Sequence, residues 1–116
     1  MHISGPLKVW REEVGRRFLK LDFKPATDDP YRLSLDLLFR GAAVGIGRTR
    51  HTAGQTFRDE ELLRDDQQTI SLLICRVGTL NVRQTHADID LGVSDATLIR
   101  NYEPGKVCVR KSCDYI

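Results

Sequence analysis

Arg32-Leu33-Ser34-Leu35-Asp36-Leu37-Leu38-Phe39-Arg40 is the stretch that decides the fold. Leu33, Leu35, Leu37 and Phe39 share one parity, and Arg32, Ser34, Asp36 and Arg40 share the other, with Leu38 the exception. A period of two marks a strand with one face buried and one face wet. Upstream the period is different. Leu7, Trp10, Val14 and Phe18 recur at helical spacing and predict a helix over 6–20. Pro6 suits its first turn, with Ser4 or Gly5 as cap. Glu12 and Glu13 each stand four residues before an arginine, Arg16 and Arg17, in the better orientation for an ion pair. Gly15 weakens this helix by about 1 kcal/mol relative to Ala. Such a helix either covers the open side or end of a sheet or docks a partner. Pro25 to Pro30, with Asp28 and Asp29 between, is a loop.

Downstream, strand and turn patterns alternate. A second strand is expected over Val44 to His51, a turn at Thr52 to Gly54, and one helical turn with an acidic start over Asp59 to Arg64. Thr69 to Val77 is apolar on both parities and reads as a central strand. Gly78 opens a tight turn, and Leu80 to Gln84 reads as the return strand. A short strand at Ile89 and Leu91, a turn over Gly92 to Asp95 and a strand over Ala96 to Arg100 follow. A turn at Glu103 to Gly105 and a last strand over Lys106 to Lys111 complete the series. Short strands spaced by turns indicate an antiparallel β-sandwich or barrel, here over about 31–116, with one helix before it.

The chain has 116 residues, 41% hydrophobic and 29% charged, which fits one soluble globular domain. It can bury roughly two-thirds of its unfolded surface. Its net charge of +2 lacks the basic excess of a nucleic-acid binder, although residues 1–58 carry net +5 and residues 59–116 net −3. Cys75, Cys108 and Cys113 are odd in number and fit no zinc or redox spacing, so a reducing cytoplasm is expected. No apolar run approaches the roughly 18 residues of a membrane span, and no signal-peptide core is visible.

His2, His51 and His86 lie far apart, and the H-x-H pair of a metal-binding barrel is absent. Neither a catalytic metal nor a cofactor is therefore expected. No nucleophile elbow or cysteine motif supports an enzyme. Gly45-Ile46-Gly47 lacks a following helix and reads as close backbone approach or strand curvature rather than a phosphate loop. Arg48 and Arg50 continue the parity of Val44 and Ile46. If the alternation holds, they stand at the rim of the buried side and can offer guanidinium forks to an anionic small molecule. If the strand bends at Gly47, both face water. His51 ends that strand, as a structural hydrogen-bonding residue or as a ligand contact. Arg48, Arg50 and His51 are the candidate ligand-binding residues.

From Trp10 to Tyr115 the chain resembles the N-terminal, AraC-binding-like domain of AraC-type transcriptional regulators. The pieces are Trp10 to Gly15 with Leu21-Asp22-Phe23-Lys24-Pro25, the loop Asp28 to Arg32, and Gly47-Arg48-Thr49-Arg50-His51. Thr69 to Ile74 with Gly78, and Leu91-Gly92-Val93-Ser94-Asp95-Ala96, complete the set. The last resembles the family's Leu-Gly-Pro-Gly-Asp-Ala turn, with Val93-Ser94 in place of Pro-Gly. The resemblance implies a cupin-like β-barrel that senses a small-molecule effector or supports a homodimer. It implies control of transcription through a separate DNA-binding domain. Nothing after Lys111 reads as a recognition helix, so DNA contact is expected only through that missing domain. The alternative is a stand-alone interaction module, a homodimer or a modulator of a partner regulator.

Overall fold

The computed structural model describes residues 2–4, 6–17, 19–27, 30–41, 44–65, 68–85 and 87–116. The described elements are β1 (His2–Ser4), α1 (Leu7–Arg17), β2 (Asp22–Pro25), β3 (Leu33–Arg40) and β4 (Gly45–Arg58), then a 3-10 turn (Leu62–Asp65). They continue with β5 (Ile70–Val77), β6 (Leu80–Gln84), β7 (Ala87–Leu91), β8 (Ala96–Arg100) and β9 (Gly105–Tyr115). Every strand pair is antiparallel.

Two long strands form the spine. β4 and β9 pair from Thr49↔Tyr115 to Arg58↔Gly105. On its other edge β4 pairs first with β3, over Gly45–His51, and then with β2, over Gly54–Phe57. On its other edge β9 pairs with β6 over Gly105–Cys108 and with β5 at Asp114 and Tyr115. The spine thus serves two layers. One runs β1-β3-β4-β9-β5-β8, and the other adds β2, β6 and β7 to the same two long strands. The result is a cupin-like antiparallel sandwich, mainly β, with one helix near its N-terminus. Among the described residues no helix is long and apolar enough to cross a membrane.

The helix covers the sandwich rather than extending from it. Trp10 (1% exposed) and Val14 (fully buried) pack on Ile3, Phe23, Leu33 and Leu35. Burial of side chains of this size stabilises by about 1.5–3 kcal/mol each. A second cluster gathers Leu73, Cys75, Leu80, Val82, Val107 and Tyr115 between the layers. Buried Arg58 ties loops to the core: its Nε donates to the Asn101 carbonyl at 3.0 Å and its guanidinium donates to the Lys20 carbonyl at 2.8 Å.

Several expectations are corrected. The helix is shorter than 6–20, and Ser4 lies in β1, paired with Ser34, instead of capping the helix. Gly5, Phe18, Asp28, Asp29 and His86 lie outside the described residues. The expected turn at Thr52 to Gly54 is a bulge inside β4, where the register against β9 shifts. Gly54 permits it: a Cβ there would stand 2.6 Å from the Lys24 carbonyl and 2.8 Å from the Phe23 ring. Leu80–Gln84 does not return along β5. Gly78, at φ +83, comes within 2.6 Å of the Ser112 carbonyl measured from an added Cβ, and the chain passes to the other layer to pair with β7 and β9. β5 lies between β9 and β8 but is covered on one face alone, with Ile70 and Leu72 exposed. The last strand runs on to Tyr115. The acidic start near Asp59 is present, with Asp59 Oδ1 accepting from the Leu62 amide at 3.0 Å.

Candidate functional site

Register sets the inward faces of the two layers, between which a cavity lies. In the first layer Ile3, Leu35, Thr49, Tyr115 and Cys75 are successive cross-strand partners and share the inward face. In the second, Phe23, Thr56, Val107 and Val82 form the matching row. Thr56 Oγ1 and Tyr115 Oη lie 3.3 Å apart and join the two rows. The cavity has a volume of about 490 Å³. Leu35, Leu73, Val82, Ile99 and Val107 supply apolar wall, and α1 closes one side with Trp10 and Val14. This size and lining suit a small organic molecule held mainly by apolar contact and oriented by few polar groups.

Polar groups on the lining include those of Trp10, Thr49, Thr56, Arg58, Asn101 and Tyr115, together with the charged Arg83, Arg100, Glu103 and Lys106. Burial drives the Tyr115 hydroxyl well above the usual phenol range, so it stays protonated. Asn101 donates to Thr69 Oγ1 at 3.1 Å and to Ser71 Oγ at 2.8 Å. The Trp10 indole nitrogen is buried and has no hydrogen-bond partner among the described residues.

The three residues singled out from sequence fall in different places. The alternation runs on through Gly47, and Arg48 and Arg50 pair with Asp36 and Ser34 on the face opposite Thr49, while Val44 and Ile46, both exposed, lie along the cavity's edge. Arg48 and Arg50 therefore stand on the outer surface, not at the rim of the buried side, and neither lines the cavity. Each meets a carboxylate. Arg48 forks onto Asp114, with Nε donating to Oδ1 at 2.8 Å and to Oδ2 at 3.1 Å, and a terminal nitrogen also donating to Oδ2. Arg50 donates to Asp36 Oδ2 at 2.8 Å. Hydrogen bonding from Arg48 holds the Asp114 carboxyl below its ordinary range, against the effect of burial. Arg76 and Arg50 add to that field.

His51 faces inward and is buried. Its Nδ1–H donates to the Thr52 carbonyl at 2.7 Å, and its ring packs edge-on to Phe23 and Tyr115 at 5.1 and 5.8 Å. Burial lowers its pKa below the ordinary histidine value. Its Nε2 has no partner among the described residues, and the ring sits in the core behind the cavity wall. Beside it, burial pushes the Cys113 thiol up to about 12. Cys75, Cys108 and Cys113 are all free thiols. Among the described residues no cluster of three or more His, Cys, Asp or Glu could hold a metal ion.

Sequence reasoning missed Thr49, Thr56, Arg58 and Tyr115. Strict alternation along β4 puts Thr49 and Thr56 on opposite faces, and the bulge at Thr52 to Gly54 brings them to the same side. A run of small and polar residues around Gly54 is the trace it leaves in the sequence.

A family model described as AraC-binding-like domain matches residues 10–116. No curated protein matches the chain.

Proposed function

The chain belongs to the AraC-binding-like domain family, and from that premise we propose that its cavity receives a small-molecule effector and that the domain senses it for a transcriptional regulator. The observation that carries this is the apolar-walled space of about 490 Å³ between the two layers. Both walls share the β4–β9 spine, so a ligand that favours one spacing of the layers shifts the population of that state. The domain acts on transcription by changing how a separate DNA-binding domain is presented, which requires coupling between two sites. The cavity's role in this reading is binding, not catalysis, and no metal or cofactor takes part.

A fluorine-NMR screen of apolar fragments tests it, with the V82W variant as control. Val82 stands in the second wall, and the larger ring occupies the space. Fragments should bind the native chain and fail to bind a folded V82W. Fragments that bind both equally overturn the reading.

Homodimerisation belongs to the same proposal. β8 pairs with β5 on one edge, and Leu72 (57% exposed) lies directly opposite Leu98 (65% exposed) on the outer face. Edges and apolar faces of this kind pair with other chains. Sedimentation equilibrium should give a dimer that Leu98→Lys dissociates. A monomer at high concentration overturns it.

A further inference from the structure

β9 joins β4 to β5 over only part of their length. Its ladder with β4 begins at Thr49↔Tyr115, although β4 begins at Gly45. Along β5 it reaches back to Ile74, which exchanges both backbone hydrogen bonds with Ile116, at 2.7 and 3.0 Å, although β5 begins at Ile70. Upstream of these points the facing edges of β4 and β5 have no strand between them among the described residues. Each stands one strand spacing from β9, so about 10 Å separates them, which is room for one strand.

The backbone of both edges points into this lane. Val44 and Thr52 bond on the β3 side of β4, to Gly41 and Arg32, so alternation turns the amides and carbonyls of Gly45 and Gly47 the other way. Cys75 bonds on the β8 side of β5, to Ser94 and Asp95, and Ile74 bonds toward Ile116, so Leu72 and Ile70 turn theirs into the lane as well. Register also places the side chains. Counting back from Thr49, Tyr115 and Cys75, Ile46 and Leu72 flank one position of the lane, and Val44 and Ile70 flank the position two further on. All four are large apolar residues between 41% and 59% exposed. The position between them is bounded by Gly45 and Ser71, on the cavity side.

These features define the occupant. Unpaired backbone on two facing edges requires one extended strand that bonds on both sides, and a small apolar molecule does not supply it. A folded second copy does not supply it either, because each of its described strands already uses at least one edge. We propose that the lane is a docking site for a free, extended segment of a partner polypeptide, apolar at alternate positions, which inserts as one strand between β4 and β5. Its apolar side chains fill the gaps between Ile46 and Leu72 and between Val44 and Ile70. The residue between them stands beside Gly45, which leaves it room toward the cavity. The segment runs antiparallel to both neighbours, as every other strand pair here does. This goes beyond the effector reading and rests on the backbone ladder.

The probe is the soluble peptide acetyl-Leu-Val-Thr-Val-Lys-Lys-amide, added to the native chain and followed by amide hydrogen exchange and by anisotropy of a labelled copy. Binding should slow exchange at Gly45, Gly47, Ile70 and Leu72 together. Methylating the backbone nitrogen of the first Val, or that of the Thr after it, should weaken binding about fivefold in each case, because successive amides of an inserted strand bond to opposite edges. Protection confined to Ala96 and Leu98, with sensitivity to alternate nitrogens alone, is pairing at the open edge of β8 and overturns the proposal. Protection that is present without peptide and grows with protein concentration assigns the lane to a second copy and overturns it too. So does unchanged exchange at the four lane residues in millimolar peptide. The fragment screen of the cavity is independent of each of these results.

Discussion

Thr49 and Thr56 stand seven residues apart on one strand and line the same cavity. In an unbroken strand an odd separation puts side chains on opposite faces. The bulge between Thr52 and Gly54 resets the parity, so buried positions run His51, then Gly54, Thr56 and Arg58. A bulge inserts a residue, bends the strand and strengthens its twist. Here it also lets β4 leave β3 and take up β2, which separates the two layers that enclose the cavity.

The bulge depends on a missing side chain. Gly54→Ala places a methyl group 2.6 Å from the Lys24 carbonyl, a backbone atom that cannot swing away. Urea unfolding should show a loss of about 2–3 kcal/mol. Gly92→Ala is the control, because its Cβ would meet the Asp95 carboxylate at an ordinary 3.5 Å. Equal stabilities of the two variants would refute the close-approach argument.

Arg48 and Asp114 predict a pH dependence. The Asp114 carboxyl is 9% exposed and is held below its ordinary pKa chiefly by the Arg48 hydrogen bonds. A depressed carboxylate contributes stability that is complete above its unfolded value, about 3.9, and is lost as pH falls through the lower folded value. Arg48→Ala removes the main cause of the shift. Its acid-unfolding midpoint, followed by circular dichroism, should move to higher pH. An unchanged acid limb would show that Arg50 and Arg76 hold Asp114 alone.

His51 works in a different window. Burial lowers its pKa, so the unfolded chain takes up its proton first. Its stabilising effect is whole above about pH 6.5 and declines as pH falls from there toward the folded value. His51→Phe keeps an aromatic ring against Phe23 and Tyr115 and removes the titration. Its stability should lose the slope that the native chain shows below about pH 6.5, while imidazole NMR of the native chain reports a pKa below 6.5. A native pKa at or above 6.5 sinks the prediction.

Local patterns made much of this fold legible. The burial of Leu33 and Leu35, the helical spacing of Trp10 and Val14, and the Asp59 start each depend on near neighbours, and each is present. Phe39, expected on the same buried face as Leu33 and Leu35, is instead exposed past the register shift that follows Leu37. Pairings between distant segments were not legible. Nothing in Leu80–Gln84 states that its partners are β7 and β9 instead of β5. The candidate site suffered most. Val44 and Ile46 lie along the cavity's edge, but Arg48 and Arg50 beyond them turn to Asp114 and Asp36, so shared parity with apolar neighbours did not carry the arginines to the cavity. The inward polar residues Thr49, Thr56 and Tyr115 look ordinary until the register brings them together.

Ser94 carries the last prediction. It has a φ of +73, in the left-handed region that disfavours residues with a Cβ. It sits in the turn between β7 and β8, where Asp95 Oδ2 accepts from the Gly92 amide at 2.8 Å and the Ser94 amide donates to the Cys75 carbonyl at 2.8 Å. The turn is therefore fixed by bonds on both sides, and Ser94 adopts its conformation because its neighbours require it. At this position the sequence has Ser where the resemblance to AraC-type regulators leads one to expect Gly. Glycine removes the Cβ strain, and its larger unfolded-state entropy offsets part of the gain. Ser94→Gly should raise stability by about 0.5–1 kcal/mol, read as a higher urea midpoint at constant slope. Ser94→Ala, which retains the Cβ, should show no such gain. Equal midpoints for the Gly and Ala variants would mean that backbone strain at this turn contributes nothing to the balance.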